Sequence, residues 1–166
     1  MRHLIPIAAL AVALALTAGY APADESGFVA GMKQQAQPLL YALGLLGSPY
    51  KMGGTDPKKG VDCSGFVRHV YKQTEDIDLP HSARAISQNG EAVGKDQLQP
   101  GDLVFFNTRH KPYSHVGIYA GDGQFVHAAS SRSKQVMVSD MNDGYWTKRF
   151  NGARRLLSGE TRLKVQ

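Results

Sequence analysis

Three residues of this chain have side chains that could act together in covalent chemistry. The chain has a single cysteine, Cys63, which lies in the polar segment GVDCSGF, and the histidines His115 and His127 follow it. A lone cysteine cannot form a disulfide within its own chain, so it is either an inert small side chain, a link to another chain or a reactive thiol. With two histidines it supplies a nucleophile, a base and a group that orients the base. The sequence therefore predicts a catalytic Cys63, His115, His127 triad.

The residues around Cys63 predict that it begins a helix. From Cys63 to Thr74 the apolar side chains recur at helical spacing, at Phe66, Val67, Val70 and Tyr71. A helix start offers free N–H groups and a partial positive charge, and both favour thiolate over thiol. We therefore expect the pKa of Cys63 to lie below the ordinary thiol value, with N–H groups available for an oxyanion hole.

The spacing of the two histidines predicts that they share one face of a hairpin. If Gly121-Asp-Gly123 is a three-residue loop, paired residues have numbers that sum to 244, and His115 lies diagonally from His127 on the same face. A two-residue loop would place them on opposite faces. In the first case His115 is the base and His127 accepts its other ring N–H. The alternative is a pair of structural histidines on a half-buried sheet.

The order of the elements predicts an α+β fold. Helical patterns occupy Ser26 to Gly44 and Cys63 to Thr74, and the second half carries short runs of strand-forming residues between turn signals. The five predicted strands are Leu103–Phe106, Val116–Tyr119, Gln124–His127, Gln135–Val138 and Ala153–Leu157. We expect N-terminal helices packed on an antiparallel sheet of about five strands.

The two ends of the chain have their own patterns. Residues 1–23 have a positive start, a short apolar run and the small residues Ala21-Pro-Ala23, which predicts a cleaved signal peptide and export to the periplasm or the medium. An uncleaved anchor is the alternative, and no cysteine near the cleavage site could carry a lipid. Residues 24–158 form a single domain, and residues 159–166 form a polar tail.

Charge and composition narrow the choice of partners. The net charge of the chain is +5, and loss of Arg2 with the leader leaves +4. A modest positive charge suits an anionic polymer of the cell envelope, whereas scattered lysines and arginines argue against nucleic acid. Histidines and carboxylates do not cluster around Cys63 at ligand spacing, so we expect no metal and no other cofactor.

Several spaced motifs resemble one known family. The segments DCSGF at 62–66, PGDLVFF at 100–106, HVGIY at 115–119 and FVH at 125–127 look like the NlpC-type papain-like cysteine peptidases of bacterial cell walls. The resemblance extends from about Leu39 to Leu157. It implies a papain-like fold in which Cys63, His115 and His127 cut an amide in the peptide stem of peptidoglycan. The bond is commonly that between γ-D-glutamate and meso-diaminopimelate.

The resemblance also implies residues that bind the substrate. Tyr50, in the segment GSPYKMGG, resembles a tyrosine that borders the active site, although a core aromatic would fit the same pattern. Asp62 and Ser64 resemble the residues that flank the nucleophile. Asp62 could contact a substrate amine or could serve only as a helix cap.

One family position departs from its usual pattern. The segment LPHS at 79–82 resembles a stretch that usually has arginine before serine or threonine, and here the arginine is replaced by His81, followed by Ser82. Arg84 lies one turn further on. We expect either His81 or Arg84 to bind substrate carboxylates.

Three other functions stay open at this point. The same fold could cut the D,D or L,D cross-links, and only its products would tell. An amidase or acyltransferase of the same superfamily would need an apolar approach to Cys63, against which Lys51, Asp62 and Arg84 argue. A non-catalytic wall-binding protein would be expected to lack a member of the triad. A regulatory protein partner is also possible, and the sequence does not identify one.

Overall fold

A computed structural model of the chain describes residues 36–130 and 133–156. The predicted signal peptide, the tail at 159–166 and the first part of the predicted N-terminal helices lie outside these residues, so those predictions stay untested. Among the described residues, no helix is long and apolar enough to cross a membrane.

The described residues form four α-helical segments, one 3₁₀ helix at Lys95–Gln97 and eight strands. The helices are α1 over 36–43, α2 Cys63–Glu75, α3 Ala83–Ile86 and α4 Gly144–Thr147. The strands are β1 Thr55–Asp56, β2 Gly60–Val61, β3 Glu91–Val93, β4 Leu103–Phe106, β5 His115–Gly121, β6 Gln124–Ala128, β7 Val136–Asp140 and β8 Phe150–Arg155. This confirms the α+β prediction.

The main sheet has six strands in the order β3-β8-β4-β5-β6-β7, and every neighbouring pair is antiparallel. All five predicted strands are present in it. The sixth strand, β3, is a short edge strand whose pairs include Glu91 with Arg155. Its three residues are largely exposed and show no apolar alternation, which is why the sequence pattern missed it. A separate antiparallel pair, β1–β2, precedes α2.

Each face of the sheet has its own core. The α2 face buries side chains from both elements, namely Phe66, Val67, Val70, Phe105, Val116, Ile118 and Val126. The opposite face is aromatic and is covered by α4 through Trp146, which contacts Phe106 and Phe125 at centroid distances of 4.9 and 5.0 Å. Gly65 also lets α2 lie against the backbone of the segment before β1. A Cβ at this position would be only 2.0 Å from the carbonyl oxygen of Gly54.

A buried ion pair holds the start of β4 against the end of β8. Asp102, only 2% exposed, accepts hydrogen bonds at 2.8 and 2.7 Å from Arg155 and another at 2.8 Å from the Gln99 N–H. The Tyr71 hydroxyl, on α2, donates to the Gly101 carbonyl. These contacts fix α2 and the sheet relative to each other, and thereby fix where Cys63 and β5 meet.

Candidate active site

Cys63 is the first residue of α2, directly after the capping residue Asp62. The backbone of Asp62 is extended, with φ −91°, and its carboxylate accepts the Gly65 N–H, so the helix begins at Cys63 as the sequence predicts. The N–H groups of Ser64 and Val116 lie near the Cys63 thiol, and each acts to lower its pKa. Val116 directly follows His115, so the thiol lies where α2 meets the start of β5.

The pKa of Cys63 contradicts the prediction made from the helix start. Burial first, and then the charge of the Asp62 carboxylate, raise the pKa of the thiol to about 11 against the opposing effects of the two N–H groups and Arg109. The prediction was wrong because it counted the helix end and omitted the cost of removing a thiolate from water beside an anion. Cys63 nevertheless keeps part of its surface accessible. It is therefore a reachable thiol that rests in its protonated form.

The two histidines lie together on the aromatic face of the sheet. Nε2 of His115 is 2.8 Å from Nδ1 of His127, and the two side chains are 7% and 2% exposed. Trp146 stacks on His115 at 5.5 Å between centroids and meets His127 edge-on at 5.1 Å. Burial lowers the pKa of His115 to about 4, helped by Arg109, and burial followed by the charge of His115 lowers the pKa of His127. Both imidazoles are therefore neutral at neutral pH.

The predicted hairpin register is confirmed, although the loop differs in detail. Ile118 pairs with Val126 and Tyr119 with Phe125, so the residue numbers sum to 244. The turn itself holds two residues, and a shift in register between Tyr119 and Gly121 restores the predicted pairing. A two-residue loop without this irregularity would separate the histidines, so the extra residue brings them together.

Gly117 makes room for the histidine pair. A Cβ at Gly117 would lie 2.7 Å from the Phe125 ring and 3.2 Å from Cβ of His127. Both distances are shorter than ordinary carbon contacts. The glycine after Val116 therefore allows the His127 side chain to cross the strand toward His115.

Asp62 is the centre of a polar cluster at the start of α2. Its carboxylate accepts hydrogen bonds from Gly65 N–H at 2.7 Å, the Ser64 hydroxyl at 2.9 Å and Gly53 N–H at 3.0 Å, and it lies 3.0 Å from Nε2 of His81. Burial raises the pKa of Asp62, but the hydrogen bonds outweigh it and the pKa falls below its ordinary value. Asp62 is thus a helix cap and a stable anion next to the thiol.

The remaining predicted substrate-binding residues lie in two places, at the start of α2 and around the short helix α3. Ser64 is 5% exposed and its hydroxyl donates to Asp62. His81 lies beside the site through its contact with Asp62. Ser82 caps the short helix α3, and Arg84 is an exposed residue of that helix. Of the two candidates for binding carboxylates, His81 is the one that the structure shows bonded to a residue next to Cys63.

Tyr50 and Arg109 form the other side of the site. The Tyr50 hydroxyl donates to Sδ of Met52 at 3.6 Å, and a guanidinium nitrogen of Arg109 lies 3.8 Å from the same sulfur. Burial raises the pKa of Tyr50, and the nearby Cys63 thiolate form adds to the shift, while Arg109 opposes it. Tyr50 therefore lies near Cys63, and its contact with substrate stays a prediction.

Sequence reasoning missed three residues around the histidines and the thiol. Arg109 lies in the β4–β5 loop, which carries no recognisable motif. Trp146 is the only tryptophan, a signal that could have drawn attention to it. Ser139, whose hydroxyl is 2.9 Å from Nε2 of His127, could have been found by extending the hairpin parity to β7.

No group of three or more histidine, cysteine or acidic side chains could hold a metal ion within residues 36–130 and 133–156. The residues described above place a thiol near a carboxylate and an arginine, with two neutral, hydrogen-bonded imidazoles on neighbouring strands. Such an arrangement suits acyl transfer through a covalent thioester.

The sequence model of the NlpC/P60 family matches residues 47–155, which contain the thiol, both histidines and the whole sheet. The chain belongs to this family. It is 45% identical over 112 residues to the murein DD-endopeptidase MepS/murein LD-carboxypeptidase of Escherichia coli K12, covering 68% of this chain and 57% of that protein. It is also 43% identical over 111 residues to the γ-DL-glutamyl hydrolase of Bacillus subtilis 168, covering 66% and 26% of the two chains.

A solved structure supports the fold. The NlpC/P60 family protein from Bacillus cereus superposes with a TM-score of 0.68 at 34% identity, over 74% of this chain and 40% of that chain. The chain spans little more than half the length of the murein endopeptidase and about a quarter of the glutamyl hydrolase. The family and the papain-like fold predicted from the motifs are confirmed.

Proposed function

We propose that this NlpC/P60 domain is a cysteine peptidase that hydrolyses amide bonds in the stem peptides of peptidoglycan. The observation that carries the proposal is the meeting of Cys63, at the start of α2, with the first residues of β5, where His115 is bonded to His127. The relatives named as murein and glutamyl hydrolases support the substrate class.

In the proposed reaction, His115 acts as the general base. Its Nε2 is occupied by His127, which leaves Nδ1 to take the proton from Cys63 as sulfur attacks the carbonyl carbon. While the proton leaves and before the new bond forms, the N–H groups of Ser64 and Val116 stabilise the negative charge on sulfur. The imidazolium returns the proton to the leaving amine, and a water activated by the same histidine hydrolyses the thioester.

Two bonds of the stem peptide are candidates. We place the bond between γ-D-glutamate and diaminopimelate first, because Asp62 is held as an anion beside the thiol and would attract a free stem-peptide amine. The D,D cross-link is the second candidate, favoured by the 45% identity to a murein DD-endopeptidase. The polar surroundings of the thiol, formed by Asp62, His81 and Arg109, argue against an amidase or acyltransferase for lipid amides.

Arg109 is the residue we propose for binding substrate carboxylates. It makes no ion pair with an acid in the part of the chain that the structure describes, and it influences the pKa values of both Cys63 and His115. His81, by contrast, faces the carboxylate of Asp62. Residues 1–23 would export the enzyme to the periplasm or the medium, where its substrate lies.

Mass spectrometry of fragments released from purified sacculi tests the function. Cutting at γ-D-glutamate releases fragments that begin with diaminopimelate, whereas cutting the cross-link converts dimeric stem peptides into monomers that keep an intact stem. Cys63→Ala should release neither. Equal release by Cys63→Ala and wild type would refute a thiol mechanism, and no release by folded wild type would refute the substrate class.

A further inference from the structure

Three neighbouring strands each contribute one polar side chain to a continuous line of hydrogen bonds. His115 on β5 meets His127 on β6 at 2.8 Å, and the other ring nitrogen of His127, Nε2, lies 2.9 Å from Oγ of Ser139 on β7. Ser139 pairs with Phe125, two residues before His127, so the serine is on the same face of the sheet as the histidines. The line therefore has a third member behind the two histidines.

The positions of the protons along this line decide whether His115 can act as a base. A neutral imidazole has one N–H and one bare nitrogen, so each histidine can donate in only one direction. Nε2 of His115 faces His127, and Nδ1 must be bare to take the thiol proton. His115 must then donate from Nε2 to Nδ1 of His127, and His127 must carry its own proton on Nε2. That proton points at Ser139.

The opposite arrangement would disable the base. If the Ser139 hydroxyl donated to Nε2 of His127, the His127 proton would lie on Nδ1 and would occupy Nε2 of His115. His115 would then carry its proton on Nδ1, the nitrogen that the proposed reaction needs bare, and that nitrogen could not accept the proton of Cys63. Only one direction of donation, toward Ser139, is compatible with chemistry at Cys63.

Aromatic rings limit the access of water to this line. Phe125 stacks on His127 at 4.8 Å and Trp146 meets it edge-on at 5.1 Å, and His127 is 2% exposed. Among the described residues, the Ser139 hydroxyl is the side chain that bonds Nε2 of His127. Losing it would leave a buried ring nitrogen without an acceptor, which is costly in a dry environment.

We propose that Ser139 is a positioning residue that accepts the Nε2–H of His127 and thereby fixes both histidines in the tautomers that leave Nδ1 of His115 bare toward Cys63. The inference rests on the proposed roles of Cys63 and His115. It adds a residue that touches neither the substrate nor the thiol and acts through two imidazoles.

Nitrogen NMR of the resting enzyme measures the tautomers directly. Long-range ¹H–¹⁵N spectra of protein labelled with ¹⁵N-histidine, assigned with His115→Gln and His127→Gln, should show both rings protonated at Nε2 and bare at Nδ1. In Ser139→Ala, His127 should become a mixture of tautomers. Protonation of His115 at Nδ1 in the wild type, or unchanged tautomers in Ser139→Ala, would overturn the proposal.

Kinetics on a soluble stem peptide supply the second readout. Ser139→Ala should lower kcat by about tenfold to a hundredfold, the range seen for side chains that orient metal-bound histidines, with KM unchanged. Ser139→Thr keeps the hydroxyl and should restore most of kcat, while Ser133→Ala, a serine outside the line, serves as the control for the β6–β7 region. A kcat unchanged in Ser139→Ala would overturn the proposal.

The two readouts separate this inference from the proposed function. The NMR spectra need no substrate, so an enzyme inactive on peptidoglycan could still show the expected tautomers, and that result would count against the function alone. Should Ser139→Ala fail to fold, the wild-type and Ser139→Thr tautomers still decide between the two directions of donation.

Discussion

The two polar clusters beside the thiol are built in opposite ways. At the start of α2, the carboxylate of Asp62 is surrounded by donors, and these keep its pKa below the ordinary value despite burial. On the sheet, His115 and His127 are surrounded by aromatic rings, and here burial itself lowers the pKa values. All three pKa values are therefore lowered. For the carboxylic acid this favours the anion, whereas for the imidazoles it favours the neutral ring.

The difference shows that burial does not by itself decide charge. A buried group stays charged where hydrogen-bond donors replace the lost water and becomes neutral where apolar surface replaces it. Cys63 lies next to the anion Asp62 and near the start of β5, which carries His115, the proposed base and a neutral ring, and neither group stabilises a resting thiolate. Proton transfer to His115 is therefore coupled to attack on the substrate in this account.

Loss of the base should have the largest effect. His115→Ala should lower kcat about a hundredfold to ten-thousandfold, because a general base contributes about that much. His127→Asn should cost much less, since asparagine can still accept the Nε2–H of His115. The comparison requires only kcat of the two variants on one stem peptide. A larger loss in His127→Asn would exchange the roles of the two histidines.

Removing the Asp62 carboxylate should mainly destabilise the start of α2. Asp62→Ala leaves its backbone and hydroxyl donors without their acceptor and should lower the free energy of unfolding by about 2 kcal/mol, measured with urea. Ser82→Ala is the matched control, because that cap bond is long, at 3.4 Å, and should cost about 0.5 kcal/mol.

Asp62→Asn isolates the charge from the cap. Asparagine can still cap the helix, but it carries no negative charge to raise the pKa of the Cys63 thiol. The thiol pKa should therefore fall in this variant. A thiol pKa that is the same in Asp62→Asn and wild type would show that the charge of Asp62 does not raise the pKa of the thiol.

Exposing the histidine pair to water should change the dependence of kcat/KM on pH. Trp146→Leu lets water reach the histidine pair, so the pKa of His115 should rise from about 4 toward its ordinary value of 6.5. Because only the neutral ring acts as a base, kcat/KM near pH 5 should fall by about tenfold, with little change near pH 8.

The control for this profile is Tyr145→Leu, which changes an exposed neighbour on the same helix. Its acid limb should match that of the wild type. An identical acid limb in Trp146→Leu would mean that the tryptophan does not keep His115 neutral.

The smallest expected effect concerns substrate carboxylates. Arg109→Gln should raise KM for an acidic stem peptide by about threefold to tenfold, a modest change because the side chain is exposed. Arg84→Gln should leave KM unchanged, and peptides with amidated carboxylates should remove the difference between Arg109→Gln and wild type. A rise in KM with Arg84→Gln alone would return the role to Arg84.

The sequence predicted the parts of the site that depend on local patterns. The start of α2 at Cys63 follows from the cap and the apolar spacing, and the meeting of His115 with His127 follows from strand parity. Both depend on neighbouring residues or one hairpin, where spacing alone sets geometry.

The missed features arise from contacts between distant segments. Trp146 reaches the histidines from a short helix beyond β7, and Arg109 reaches the site from a loop without a pattern. The pKa of Cys63 was predicted in the wrong direction because burial, the dominant cause, depends on how α2 packs against β5. Spacing carries no information on that packing.

The pH dependence of Cys63 alkylation by iodoacetamide tests the resting protonation state most directly. Because burial and Asp62 raise the thiol pKa to about 11, the rate constant should increase steadily with pH through and beyond the range near ~8.5 where a free thiol titrates. Asp62→Asn should shift the curve to lower pH. A rate constant that is already at its plateau near pH 6, in wild type, would show a resting thiolate and contradict the account.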